Sequence, residues 1–177
     1  SGWMTAALLS KEHPDIEMVL IESPDIKPIG VGESTLAWFN RYLKRLGLKD
    51  KDWMKECNAT YKSSIAFKNF REGKGEQFQY PFGAFGPPSE HIATHIQKFF
   101  ELQCVYGKEK YPPEEFAQFV NKLTYVADAG KMTMEIPGSN QYLPDDDLSY
   151  HLNADKFGEY LRDNIAIPNG CHHVLGE

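Results

Sequence analysis

A chain of 177 residues is long enough for one domain with a sizeable core, and 41% hydrophobic with 25% charged residues is an ordinary globular composition. A net charge of −6 argues against a nucleic-acid partner, because phosphate backbones are met by clustered Lys and Arg, and the stretches around Lys44-Arg45 and Lys49-Asp50-Lys51 form no such patch. The longest aliphatic run, Met18-Val19-Leu20-Ile21, falls far short of the roughly 20 residues of a bilayer helix, and Ser1-Gly2-Trp3-Met4 lacks the basic start of a signal peptide. No membrane association is expected. Cys57, Cys104 and Cys171, odd in number and outside any CxxC pattern, read as free or buried thiols of a reducing, cytoplasmic setting.

Gly2 opens a helix-forming run, Trp3-Met4-Thr5-Ala6-Ala7-Leu8-Leu9, which ends near His13-Pro14 because a proline pushes its predecessor out of helical ψ. Residues 16–22 are apolar, rich in β-branched side chains and closed by Glu22, which predicts a buried parallel strand. A loop punctuated by Pro24, Pro28, Gly30 and Gly32 follows. Ser34 is placed to cap a helix carrying Leu36, Phe39, Leu43 and Leu46 at three- and four-residue steps, and Gly47 stops it. A second short helix is expected over 52–58, and an edge-type strand over 60–70. Residues 71–90, with four glycines and Pro87-Pro88, read as loop. Helices are expected over 91–103 and 113–123, the latter entered through Pro112-Pro113-Glu114-Glu115. A polar loop over 137–149 leads to a helix over 152–165 with Phe157, Tyr160 and Leu161 on one face. The chain closes with the start of a strand at Gly170-Cys171-His172-His173-Val174-Leu175.

Two stretches carry chemistry. Dinucleotide folds set a glycine turn before the first helix, where N–H groups meet a pyrophosphate, and an acid about 20 residues on holds the ribose hydroxyls. Gly2 and Glu22 have that separation, with a helix and a strand between them. By residue pattern alone, a glycine before any helix–strand unit fits equally well. The run Ile29-Gly30-Val31-Gly32-Glu33-Ser34-Thr35 permits close backbone approach and leads toward a helix N-terminus that favours an anion.

In order and spacing, Gly2-Trp3-Met4, Glu22-Ser23-Pro24, Gly30-Val31-Gly32-Glu33-Ser34-Thr35, Ala59-Thr60-Tyr61-Lys62 and Tyr150-His151-Leu152-Asn153-Ala154 resemble the flavin-dependent halogenases related to tryptophan halogenase. The likeness runs end to end and is loose over 71–145. It implies an α/β fold: one partial FAD-binding Rossmann-type domain of the three-layer, glutathione-reductase-like kind, spanning 1–177 with inserted helices. The first strand and the C-terminal part would lie outside the chain, and residues 1–177 alone are then expected to hold FAD weakly and to expose apolar surface. The resemblance puts FAD against Gly2 at the pyrophosphate, flanked by Ser1 and Trp3, against Glu22 at the ribose, against a strap from about Ser23 to Thr35, with Ile29, Gly30, Val31, Gly32, Glu33 and Ser34, beside the isoalloxazine, and against Val174 near the adenine.

The implied reaction uses reduced FAD from a separate flavin reductase, oxygen and a halide. Hypohalous acid reaches Lys62, which forms a haloamine or hydrogen-bonds it beside a small, indole-like aromatic substrate; a homodimer is compatible. A lysine suits this work, since desolvation can free a reactive amine and a retained ammonium can polarise the hypohalous oxygen. Unaided by the resemblance, Lys62 reads as a lysine snorkelling at a strand end. Two alternatives stand: a flavin aromatic hydroxylase on the same fold, to which Lys62 would be dispensable, and an inactive FAD-binding fragment. The family's Trp-x-Trp-x-Ile-Pro signature is absent, since Trp3, Trp38 and Trp53 are not paired in that way, and it is expected downstream. His91 and His95 share a helical face but lack a third ligand, so both are expected to face solvent. The side chains of His172 and His173 need no role, and Asp145-Asp146-Asp147 is expected to be a solvated turn.

Overall fold

A computed structural model describes residues 2–26, 32–70, 72–82, 92–120, 123–131 and 148–176. The chain divides into two compact units, Ser1–Tyr61 with Tyr150–Glu177, and Lys62–Ser149.

In the first unit, helix α1 (Gly2–Glu12) leads into strand β1 (Met18–Glu22), which pairs in parallel with β7 (Cys171–Leu175), Met18 opposite Cys171 and Glu22 opposite Leu175. The short side chains of Ala6 and Ala7 let α1 approach helix α7 (Ala154–Leu161) and the π-turn after it (Arg162–Ala166). Helix α2 (Trp38–Leu46) buries Leu43 and Leu46 and ends at Gly47, whose φ of 67° permits the left-handed stop. There Leu48 N–H donates to Leu43 C=O (3.0 Å) and Gly47 N–H to Lys44 C=O (2.9 Å), closing a Schellman motif.

The core is an aromatic cluster. Fully buried Trp53, at the end of α3 (Asp50–Trp53), meets Tyr150 and Phe157 edge-on at 5.0 and 5.3 Å, and Phe39 lies 5.4 Å from Phe157. Such pairs add about 0.5–1.5 kcal/mol each beyond the area they bury. A second sheet runs in the order β2 (Glu33–Ser34), β6 (Ser149–Leu152), β3 (Thr60–Lys62). The Asp50 carboxylate accepts the hydroxyls of both Tyr61 and Tyr150, each at 2.8 Å, and so clasps β3 and β6 from below. Helix α7 is capped by Asn153, whose Oδ1 accepts the Lys156 N–H at 2.9 Å. Asn153→Ala is expected to cost about 1 kcal/mol, read from the chemical-denaturation midpoint; an unchanged midpoint would show that the cap contributes nothing.

In the second unit, β4 (Ser64–Lys68) and β5 (Gln77–Pro81) form an antiparallel hairpin, Ser64 opposite Pro81 and Lys68 opposite Gln77. The turn is built around Glu76, whose carboxylate accepts the Glu72 and Lys74 N–H groups at 2.7 and 2.9 Å. Helices α4 (Ile92–Tyr106), α5 (Phe116–Val120) and α6 (Leu123–Asp128) gather Phe116 and Phe119 around Phe99, and a 3-10 turn (Pro113–Glu115) precedes α5. Asp128 accepts from the side-chain amides of Gln79 (2.7 Å) and Gln118 (2.8 Å), tying α5 and α6 to the hairpin.

Several expectations are corrected. Ser34 caps no helix: it lies in β2 opposite His151, and α2 begins at Trp38 after an Ala37 that makes no side-chain cap. Strand pairing takes the backbone that a helix entry would have needed. The strand at 60–70 is two strands, β5 lies inside the stretch read as loop, and the residues read as one helix over 152–165 begin as strand β6. The predicted short helix over 52–58 is α3, displaced to Asp50–Trp53. Strand β1 is parallel as predicted, yet Val19 and Ile21 are 53% and 66% exposed, because α1 covers only the face carrying Met18 and Leu20. His95 is buried on α4, not solvent-facing; His91 and Asp145-Asp146-Asp147 lie outside the described residues.

Candidate functional site

Glu22 sits at the C-terminal end of β1, where a carboxylate meets the mouth of a parallel sheet. The Trp3 indole N–H donates to its Oε2 at 3.2 Å, and His173 Nε2 approaches its Oε1 to 2.9 Å. That approach is a close polar contact off the hydrogen-bonding line. The rings of Trp3 and His173 meet edge to face at 4.9 Å. The Glu22 side chain stays 39% exposed, and two carboxylate oxygens offer about four acceptor positions, so room for further donors remains. His173, whose side chain is given no role by sequence alone, is thus a neighbour of Glu22. Its signal was register: it stands on β7 opposite Leu20, one step from Val174, which is opposite Ile21.

Gly2 begins α1, exposed, and a Cβ there would meet only Leu20 at 3.7 Å, an ordinary contact. Packing within the described chain therefore does not demand glycine. Ser23 follows β1, and its hydroxyl accepts the Asp25 N–H at 3.3 Å. A cavity of about 610 Å³ brings the two sequence motifs together: Trp3 and Met4 line it from α1, and Glu33, Ser34 and Thr35 from β2 and the residue after it. Phe39, Leu152 and Phe157 make the rest of its wall mainly apolar. Thr35 anchors this side, because its hydroxyl donates to Tyr150 C=O (3.1 Å) and accepts Tyr150 N–H (2.9 Å). Gly32 is exposed beside Leu152. Ser1, Ile29, Gly30 and Val31 lie outside the described residues.

Lys62 belongs to the second unit. Alternation along β3 puts it on the face opposite Tyr61, and it is 9% exposed with Nζ 4.9 Å from the Phe82 ring centroid. Phe82 is held by its own N–H, which donates to Ser63 C=O at 2.9 Å. Burial pushes the Lys62 ammonium below its ordinary value of 10.5. The Phe82 ring face favours the cation and opposes that shift, but the desolvation dominates. A buried lysine whose ammonium is disfavoured by desolvation is better placed than an exposed one to present a neutral amine.

The family model described as tryptophan halogenase matches residues 1–177. The chain belongs to the tryptophan halogenase family. Among relatives of this family, 7-chloro-L-tryptophan 6-halogenase KtzR of Kutzneria sp. (strain 744) is 42% identical over an alignment covering 100% of this chain and 36% of KtzR. The structure described as VirX1 apo is 49% identical with a TM-score of 0.85, covering 99% of this chain and 33% of that one. Xcc4156, a flavin-dependent halogenase from Xanthomonas campestris, is 26% identical with a TM-score of 0.78 over 99% of this chain and 33% of its own. The chain spans about a third of the length of the curated halogenases it matches. These likenesses place its mixed helix and strand elements, with the parallel β1–β7 pair, in the FAD-binding, Rossmann-type region of the tryptophan halogenase fold. Among the described residues no helix is long and apolar enough to cross a membrane, and no group of three or more His, Cys, Asp or Glu could hold a metal.

Proposed function

We propose that this tryptophan halogenase family member takes part in FAD-dependent halogenation of a small aromatic substrate of the tryptophan or indole kind, with Lys62 as its catalytic residue. The observation that carries the reading is the buried amine of Lys62, desolvated beside Phe82. The residues described are compatible with FAD: Glu22 keeps free acceptor positions for the adenosine ribose, the start of α1 at Gly2 and Trp3 presents N–H groups suited to a pyrophosphate, and Val174 on β7, paired beside β1, would lie toward the adenine in this reading. Glu33, Ser34 and Thr35 line one wall of the flavin end in this reading, with Ile29, Gly30, Val31 and Gly32 completing the strap and Ser1 and Ser23 flanking the nucleotide. When bound and reduced by a partner flavin reductase, the cofactor supplies oxygen activation and, with halide, hypohalous acid.

The chain's own part is to receive that acid. As a free amine, Lys62 Nζ can take the halogen from it and release water, leaving a haloamine. As an ammonium, its N–H can polarise the hypohalous oxygen while the aromatic ring takes the halogen. Support for the halogenase reading over a hydroxylase comes from the tryptophan halogenase likeness across the whole chain. The test is product mass spectrometry on the full chain with reduced FAD, oxygen and bromide. Brominated product that disappears when bromide is omitted is the expected result; oxygenated product formed without halide would overturn the halogenase reading.

A further inference from the structure

The acid proposed to hold the adenosine ribose does not stand alone. Glu22 has its Oε2 bonded by the Trp3 indole and its Oε1 approached by His173, whose side chain is 19% exposed while Glu22 is 39% exposed. With these two neighbours in place the Glu22 carboxylate still keeps exposed surface. Trp3, meanwhile, also lines the cavity beside Glu33, Ser34 and Thr35.

We infer that Trp3 and His173 are positioning residues for a nucleotide ribose: they lock the rotamer of Glu22 so that its outer lone pairs meet a vicinal diol. The inference rests on the FAD reading above. A freely rotating carboxylate would surrender side-chain entropy on gripping two hydroxyls, and the two supports remove that loss before the ligand arrives.

The experiment compares, on the full chain, the affinities of FAD and of a FAD whose adenosine ribose lacks both hydroxyls. Wild type, Glu22→Ala, His173→Ala, His173→Gln and Trp3→Phe are titrated by flavin fluorescence. His173→Ala and Trp3→Phe should each weaken FAD about three- to tenfold and leave the dideoxy form within about twofold of wild type. His173→Gln keeps a polar side chain that can reach Glu22 Oε1 and should lose less FAD affinity than His173→Ala. Equal losses of both ligands would mark a merely structural role and overturn the inference. Unchanged FAD binding in His173→Ala and Trp3→Phe, with Glu22→Ala still weakened, would overturn it while sparing the cofactor reading. Wild type binding both ligands equally would remove the ribose from the site altogether.

Discussion

Replacing Lys62 by alanine in the full chain should abolish halogenated product while flavin reoxidation continues. The separation follows from the proposed division of labour, in which oxygen would meet the flavin and the buried Lys62 amine would act on what the flavin releases. Arginine should not rescue, because a guanidinium stays protonated and cannot become the free amine a haloamine needs. The pH dependence distinguishes the two modes available to the lysine. Burial lowers its pKa from 10.5, so the free-amine fraction rises through a pH below that value. Transfer through a haloamine should accelerate as pH rises toward that lowered pKa, and polarisation by an ammonium should fade over the same interval. The same shift sets a stability term of known sign. Burying the ammonium disfavours the folded state below the folded pKa, and that penalty is relieved as pH rises toward 10.5. Halogenated product surviving in Lys62→Ala would remove Lys62 from the mechanism.

Glu22→Ala should weaken FAD at least about tenfold. Its carboxylate, held at the mouth of the β1–β7 pair, is expected to accept two ribose hydroxyls, and charge-assisted bonds of this kind contribute about 1.5–3 kcal/mol. The variant also leaves the Trp3 N–H without its acceptor, so near-ultraviolet absorption of the indole should change even in the absence of flavin. Equilibrium binding of FAD to wild type and variant decides the matter; equal affinities would mean that the acid closing β1 does not face the nucleotide.

What could be read from residues alone followed locality. Gly2 to Glu22 was legible because a glycine, a helix and a strand in one continuous stretch carry their own periodicities, and β1 forms where Met18-Val19-Leu20-Ile21 predicts it. Leu43, Leu46 and Gly47 announced α2 and its stop for the same reason. Ser34 misled because its strand exists only through pairing with His151, more than a hundred residues away, and serine before an apolar helical pattern is the ordinary signature of a cap. Strand β5 was hidden by surrounding glycines and aromatics, and β6 by the helical pattern that directly follows it. Lys62 stood out through its neighbours in the Ala59-Thr60-Tyr61-Lys62 motif; nothing local foretold that Phe82 would sit over its amine. His173 has no local signal of a role because its contact lies across the sheet, at Glu22.

The division of the chain has a consequence for the ribosome. Residues Lys62–Ser149 form one continuous unit, whereas the other is assembled from both ends of the chain. While synthesis proceeds, β1 has no β7, Asp50 can hold Tyr61 but not Tyr150, and Trp53 lacks both Tyr150 and Phe157. The intervening unit can therefore collapse first, on contacts close in sequence, and the split unit must wait for residues 150–175 to emerge. Loop closure across so long an insertion grows only logarithmically with its length, so the delay is one of order more than of free energy. During that interval Met18-Val19-Leu20-Ile21 is an unpaired apolar strand on a nascent chain, and it is the segment a holdase chaperone would be expected to cover.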